Sequence, residues 1–289
     1  MIPNNNLSVL PWYDSLDEQN ARKWWVFGRV YPLFCPAGFM PAWQFCIPVA
    51  DYGGFLTLAI FNANTGASIF SISRIDFGNY GIQEKQVGDY QVLYYPGTIP
   101  FLNSQDNGRY YARLDHDGGY VFSEIFTVVN DISPYLKLEW WDDDDFLMDA
   151  GAIAYAGTNF RNILYLPSDI AKPEYQFEEE GSERDGYFYP VKQISYKQFR
   201  FNFLAPEYLL DVLRFVRMAD YAQITKGGKV YTLDTFLITP EWESEGDIAV
   251  VSAEFRTATV AKRIGVGYVR SGKGDFNDDF NDDYNNQNP

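Results

Sequence analysis

Residues 193–221 read QISYKQFRFNFLAPEYLLDVLRFVRMADY, and the hydrophobic period changes inside this stretch. From Phe199 to Phe203 the residues alternate, with Phe199, Phe201 and Phe203 set against Arg200 and Asn202. That is the period of a half-buried strand, because successive side chains point to opposite faces of the pleat. After Pro206 the polar residues Glu207, Asp211, Arg214 and Arg217 fall on one helical stripe, and Leu209, Leu210, Val212, Leu213 and Val216 fill the wide opposite face. Pro206 suits the first helical position, and Glu207 places negative charge near the positive end of the helix dipole. The stretch therefore predicts a strand feeding one amphipathic helix over 206–221.

Outward from there the patterns are nearly all β. Upstream, strands are expected at Trp24 to Val30, Gln44 to Val49, Phe55 to Asn62, Ala67 to Ile72, Gln91 to Tyr95, Arg109 to Leu114 and Tyr120 to Val129. Turn clusters at 51–54, 62–66 and 115–119 separate them. Short strands at this spacing, with no helix between, suggest an antiparallel sandwich of immunoglobulin or fibronectin type. Asn130 to Tyr135, NDISPY, gathers turn formers between two strand patterns and marks the expected boundary. The chain then divides into an N-terminal arm (1–22), a sandwich (23–134), a β-barrel or sheet domain with the helix (135–266) and an acidic tail (267–289). The second domain opens with LKLEWW, continues through strands at Ile153 to Tyr155 and Phe160 to Leu166, and closes with Lys229 to Ile238 and Ile248 to Thr257. The fold class expected is mainly β.

Composition narrows the function. The chain has 289 residues, 18% of them aromatic, and a formal net charge of −16. Such acidity argues against nucleic acid or an anionic membrane as the main partner, since the phosphate backbone is bound by releasing its cations to basic side chains. No apolar run is long enough to span a bilayer, and the opening residues show neither the basic nor the apolar region of a secretory signal. Phe, Tyr and Trp favour strands and interfaces. Two cysteines, Cys35 and Cys46, do not make a disulfide framework and read as buried thiols. The single His116 leaves nothing to complete a zinc site, and it reads as a solvated turn residue.

No catalytic constellation can be assembled. Gly267 to Gly274, GYVRSGKG, misses the phosphate-binding loop because Gly274 replaces its hydroxyl residue, and it reads as a hinge. Trp140-Trp141 precede the run Asp142 to Asp145. Four consecutive carboxylates cannot converge on one ion from a regular strand, so an acidic loop is expected after tryptophans packed in a sheet. Glu178-Glu179-Glu180-Gly181-Ser182-Glu183-Arg184-Asp185-Gly186 reads as an exposed loop between aromatic stretches that include Tyr187 and Tyr189. An acid and base pair acting on a glycoside is the enzymatic alternative there, but nothing fixes the separation of the carboxylates. Asp275, Asn277 and Asp279 imitate the opening of a calcium loop, yet Phe280 stands where that loop needs glycine. No cofactor and no metal are expected.

Four stretches carry a resemblance. They are LKLEWWDDDDF, KPEYQFEEEGSERDGYFYPVKQIS, FNFLAPEYLLDVLRFVRMAD and YTLDTFLITPEWESEGDIAVVSAEFRTATVAKRIG. Together they resemble a family of predicted virion proteins of phages and prophages of gut Bacteroidales, over about half the chain. The resemblance implies a structural role in the particle and no catalytic residue. By architecture alone, a β-barrel with a flanking helix looks like the tail-tube and distal-tail folds of phage tails.

The expected function is thus a ring-forming tail or neck subunit, not an enzyme, whose partners are copies of itself and other virion proteins. Trp140, Trp141, Glu178, Glu179, Glu180, Arg184, Tyr187, Tyr189, Phe276, Phe280 and Tyr284 are the candidate interface residues, acting through aromatic burial and charge. An acidic lumen would let DNA pass without sticking. The alternative is a receptor- or carbohydrate-binding module of the particle that uses its aromatics as stacking platforms.

Overall fold

The computed structural model describes residues 8–16, 31–53, 56–100, 107–116, 119–148, 151–184, 186–242, 248–257 and 261–264. The first half holds β1 (Trp12–Tyr13), β2 (Leu33–Pro36), β3 (Trp43–Pro48), β4 (Thr57–Asn62), β5 (Ser68–Ser73), β6 (Gln83–Val87), β7 (Tyr90–Tyr95), β8 (Gly108–His116), β9 (Gly119–Ser123) and β10 (Phe126–Val129). One sheet runs β3–β7–β6, all antiparallel. In the other, β4 lies between β5 and β8, and the far edge of β8 is shared by β9 and β10. β1 joins β9 antiparallel, and β2 joins β10 in parallel. These are the places of strands B, E and D against C′, C, F and G in an immunoglobulin sandwich. Trp43, Phe45, Leu93 and Tyr95 of the first sheet share a core with Leu58, Ile60, Leu114 and Phe126 of the second. Trp12 packs edge-on against Trp43 at 5.2 Å and Phe45 at 5.7 Å.

Two expectations change here. The strand expected over Tyr120 to Val129 is two strands, broken where Glu124 turns its carboxylate inward to accept the Ile125 N–H and the Tyr13 hydroxyl. His116 is the last residue of β8, half-buried 6.5 Å from the Phe45 ring, and not a solvated turn residue. The strand expected at Trp24 to Val30 lies outside the described residues. Cys35 and Cys46 are both buried and form no disulfide, and burial pushes the Cys46 thiol up to about 11.

The second half holds β11 (Leu136–Trp141), β12 (Phe146–Met148), β13 (Gly151–Ile153), β14 (Asn162–Leu166), β15 (Glu174–Arg184), β16 (Tyr187–Pro206), helix α1 (Glu207–Leu213), β17 (Tyr221–Lys226), β18 (Lys229–Trp242), β19 (Ile248–Thr257) and β20 (Ala261–Ile264). β14 pairs with β2 through Tyr165 and Phe34, so the sheet runs on as β2–β14–β11–β17–β18–β19–β16–β15. Among the described residues it does not close into a barrel. Gly227 and Gly228, both left-handed, form the two-residue turn between β17 and β18 that primed hairpins require.

Phe199, Phe201 and Phe203 are buried as the alternation predicts, and Arg200 ties β15 to β19 through Glu174 at 3.0 Å and Glu254 at 2.7 Å. The helix is shorter than 206–221. Its α-helical part ends at Leu213, a 3-10 turn covers Arg214–Arg217, and Tyr221 already pairs with Trp141. Pro206 is not the first helical residue but the extended N-cap that ends β16. Leu209, Val212, Leu213 and Val216 bury the apolar face in the same core as the three phenylalanines.

A latch joins the halves. The outer face of β3 and β7 carries Cys46 and Val92, which pack with Ala152 and Ala154. The Gln44 carboxamide bonds both backbone groups of Ala154, and the Cys46 thiol donates to the Ala152 carbonyl at 2.8 Å. Lys85 meets Asp145 at 2.6 Å, and Asp145 also accepts the Tyr155 and Ala156 N–H groups. Cover on both faces explains why WQFCIPV reads as one apolar run.

Candidate functional site

Two surfaces stand out, an arm and a cleft. The charged segment 178–186 is not a loop: β15 and β16 pair from Glu174 opposite Gln198 to Arg184 opposite Tyr187, with left-handed Gly186 in the turn. β20 flanks the other edge of β16 over Lys192 to Ser195. Tyr175 and Phe177 lie on the face that carries Phe199 but run past the helix that covers it. They are 62% and 70% exposed, and Tyr187 is 70% exposed. Glu178, Glu179 and Glu180 are exposed, and each has a partner: Arg256 at 3.5 Å, the Gln193 amide at 2.8 Å and Lys192 at 3.9 Å. Exposed pairs of this kind contribute little to folding. Arg184 and Tyr189 belong to the ladder, and only their backbones are described. Phe276, Phe280 and Tyr284 lie outside the described residues, as do Gly267 to Gly274 and the calcium-loop imitation.

Trp140 is not an interface residue. It is fully buried, because the alternation of β11 turns Leu136, Leu138 and Trp140 inward. The opposite face, Lys137, Glu139 and Trp141, forms the floor of an open cleft of about 670 Å³. Ile163 and Tyr165 of β14 extend that floor, and Pro96 to Thr98 and Gly157 to Arg161 line the rest. Trp141 is held between the Tyr221 ring at 5.3 Å and the Arg161 guanidinium at 3.9 Å. Glu139 takes Lys137 at 2.7 Å and the Gln223 amide at 2.8 Å.

The aspartate run is dispersed. Asp142 accepts the Asp220 N–H at 2.8 Å, Asp143 accepts the Tyr221 hydroxyl at 3.0 Å, and Asp145 belongs to the latch. Among the described residues no group of three His, Cys, Asp or Glu gathers to hold a metal ion. Burial raises the Asp142 carboxyl above its ordinary range; the Asp220 and Asp143 charges add to this, and the Asp220 N–H opposes it. Burial, then the Glu139 charge, pushes the Tyr165 phenol up to about 12. Sequence reasoning missed Glu139, Asn159, Arg161 and Tyr165. The alternation in LKLEWW carried part of the signal, since it places Lys137, Glu139 and Trp141 on one face.

No family model matches the chain, and no curated protein does. Among solved structures, one of the ZIG-8–RIG-5 IG1–IG1 heterodimer is 13% identical, covers 39% of this chain and 96% of that chain, and has a TM-score of 0.19. Dpr1 IG1 bound to DIP-eta IG1 gives 13% identity, 34% and 87% coverage, and a TM-score of 0.16. Dpr2 Ig1–Ig2 in complex with DIP-Theta Ig1–Ig3 gives 9%, 80% and 88%, with a TM-score of 0.17. Overlaps this loose carry no argument about function. Among the described residues, no helix is long and apolar enough to cross a membrane.

Proposed function

We propose that this chain is a structural subunit of a phage particle, in its tail or neck, that assembles with copies of itself through the β15–β16 arm. One observation carries the reading: Tyr175, Phe177 and Tyr187 stand exposed on a paired hairpin beyond the helix-covered core. Large aromatic side chains displayed on a stiff element are what interface anchors require. The acids beside them disfavour pairing one arm with another, since like charges would face each other. That favours a head-to-tail contact, which closes into a ring when its rotation allows. Copies of the chain are the first partners, other virion proteins the next, and the site has no catalytic part.

Light scattering on the full chain across a concentration series tests this. A discrete oligomer that dissociates in the variant carrying Tyr175→Ser, Phe177→Ser and Tyr187→Ser is expected. A monomer at every concentration, or an oligomer indifferent to the three changes, would overturn it. The rival reading, a receptor- or carbohydrate-binding module of the particle, draws on the cleft instead.

A further inference from the structure

We infer that the cleft over Lys137, Glu139 and Trp141 is a binding site for a neutral pyranose sugar. The inference rests on the rival reading and is independent of arm-mediated assembly, because arm and cleft share no residue. At about 670 Å³ the cleft has the volume of small-molecule sites.

The lining selects the chemical class. Two cations, Lys137 and Arg161, stand against three carboxylates, Glu139, Asp142 and Asp143, so charge is nearly balanced and no strong ionic ligand is called for. Donors and acceptors are instead interleaved, which matches a ligand whose hydroxyls both give and take hydrogen bonds. Part of this capacity is unspent within the protein. Asn159 and Arg161 make no side-chain hydrogen bond among the described residues, and the described bonds of Asp142 and Asp143 each use one carboxylate oxygen. Ile163, Tyr165 and the edge of Trp141 offer apolar surface to the C–H side of a sugar ring.

The site is also built in advance. Trp141 is fixed between Tyr221 and Arg161, and Asp142 is pinned by the Asp220 N–H, so little ordering remains for a ligand to impose. Asn159 is exposed and opens onto the cleft beside Gly157, where no side chain intrudes.

The test uses the full chain with glucose, galactose, mannose, N-acetylglucosamine and their disaccharides, read by saturation-transfer NMR and calorimetry. Binding of at least one neutral sugar is expected. Asn159→Ala and Asp143→Asn should each raise its Kd about tenfold, the loss of one hydrogen bond in the first and of its charge assistance in the second, with the melting temperature not lowered. Absence of binding up to about 10 mM, a Kd unmoved by both variants, or preference for the matching hexosamine or hexuronate would overturn the assignment. Oligomer mass should be the same in both variants, so failure here leaves the assembly reading to its own test.

Discussion

Gln44 closes both backbone groups of Ala154 with one carboxamide: its Nε2 donates to the carbonyl at 2.9 Å, and its Oε1 accepts the N–H at 2.8 Å. The side chain of one strand thus supplies the ladder that a neighbouring strand would. Gln44→Leu keeps the volume and leaves the buried Ala154 N–H without a partner, at about 1–3 kcal/mol, while the carbonyl keeps the Thr158 hydroxyl at 3.2 Å. Urea unfolding should show a loss of about 1–3 kcal/mol; an unchanged midpoint would remove the latch from the account of stability.

Phe201 lies within 6.5 Å, ring to ring, of Phe203, Phe236 and Phe255, under the helix face of Leu209 and Val212. Phe201→Ala should cost about 3–5 kcal/mol, since the cavity has stiff aromatic walls that cannot collapse into it. Thermal melting checks this, and a smaller loss would mean that the helix settles into the gap.

Tyr175→Ser with Phe177→Ser should behave in the opposite way. Both residues are more exposed than buried, so unfolding free energy should move by no more than about 0.5 kcal/mol. A large loss in the isolated subunit would show that the pair belongs to the core and not to a contact surface.

Asp142 adds a pH-dependent prediction. Its carboxyl is raised above the ordinary range, so the folded state holds the proton more tightly than the unfolded chain. Its contribution is therefore fully present below the unfolded carboxylate value and is lost as pH rises through the folded value. Asp142→Asn keeps an oxygen for the Asp220 N–H and removes the charge. The variant should melt higher than the parent at pH 7, and the gap should shrink as pH falls through the raised folded value and level off near the ordinary carboxylate value of about 4. A gap independent of pH would contradict the assignment.

Legibility followed periodicity. Phe199 to Phe203 and the helix face announced themselves because one side of each is buried and the other is wet. β15 did not, because EYQFEEEGSER has little buried surface to impose an alternation; its strand is set by backbone pairing with β16. The latch left no trace either, since Gln44 and Ala154 are 110 residues apart and a side chain closing a backbone pair has no period. Trp140 and Trp141 show the limit most plainly: adjacent and chemically identical, one is sealed in the core and the other sits half-buried beside a cleft. Only the register of β11 separates them.

The way the halves are joined has a mechanical consequence. A single joint would act as a pivot, but Phe34 with Tyr165 and Gln44 with Ala154 fasten the sandwich from different strands, so the joint resists torque. The arm projects from that braced frame, and its stretch of β16 from Tyr187 to Tyr196 reaches about 30 Å at strand pitch. A force on the tip is consequently passed to the sandwich and not absorbed by bending between them. An arm seated in this way would act as a lever with a rigid base.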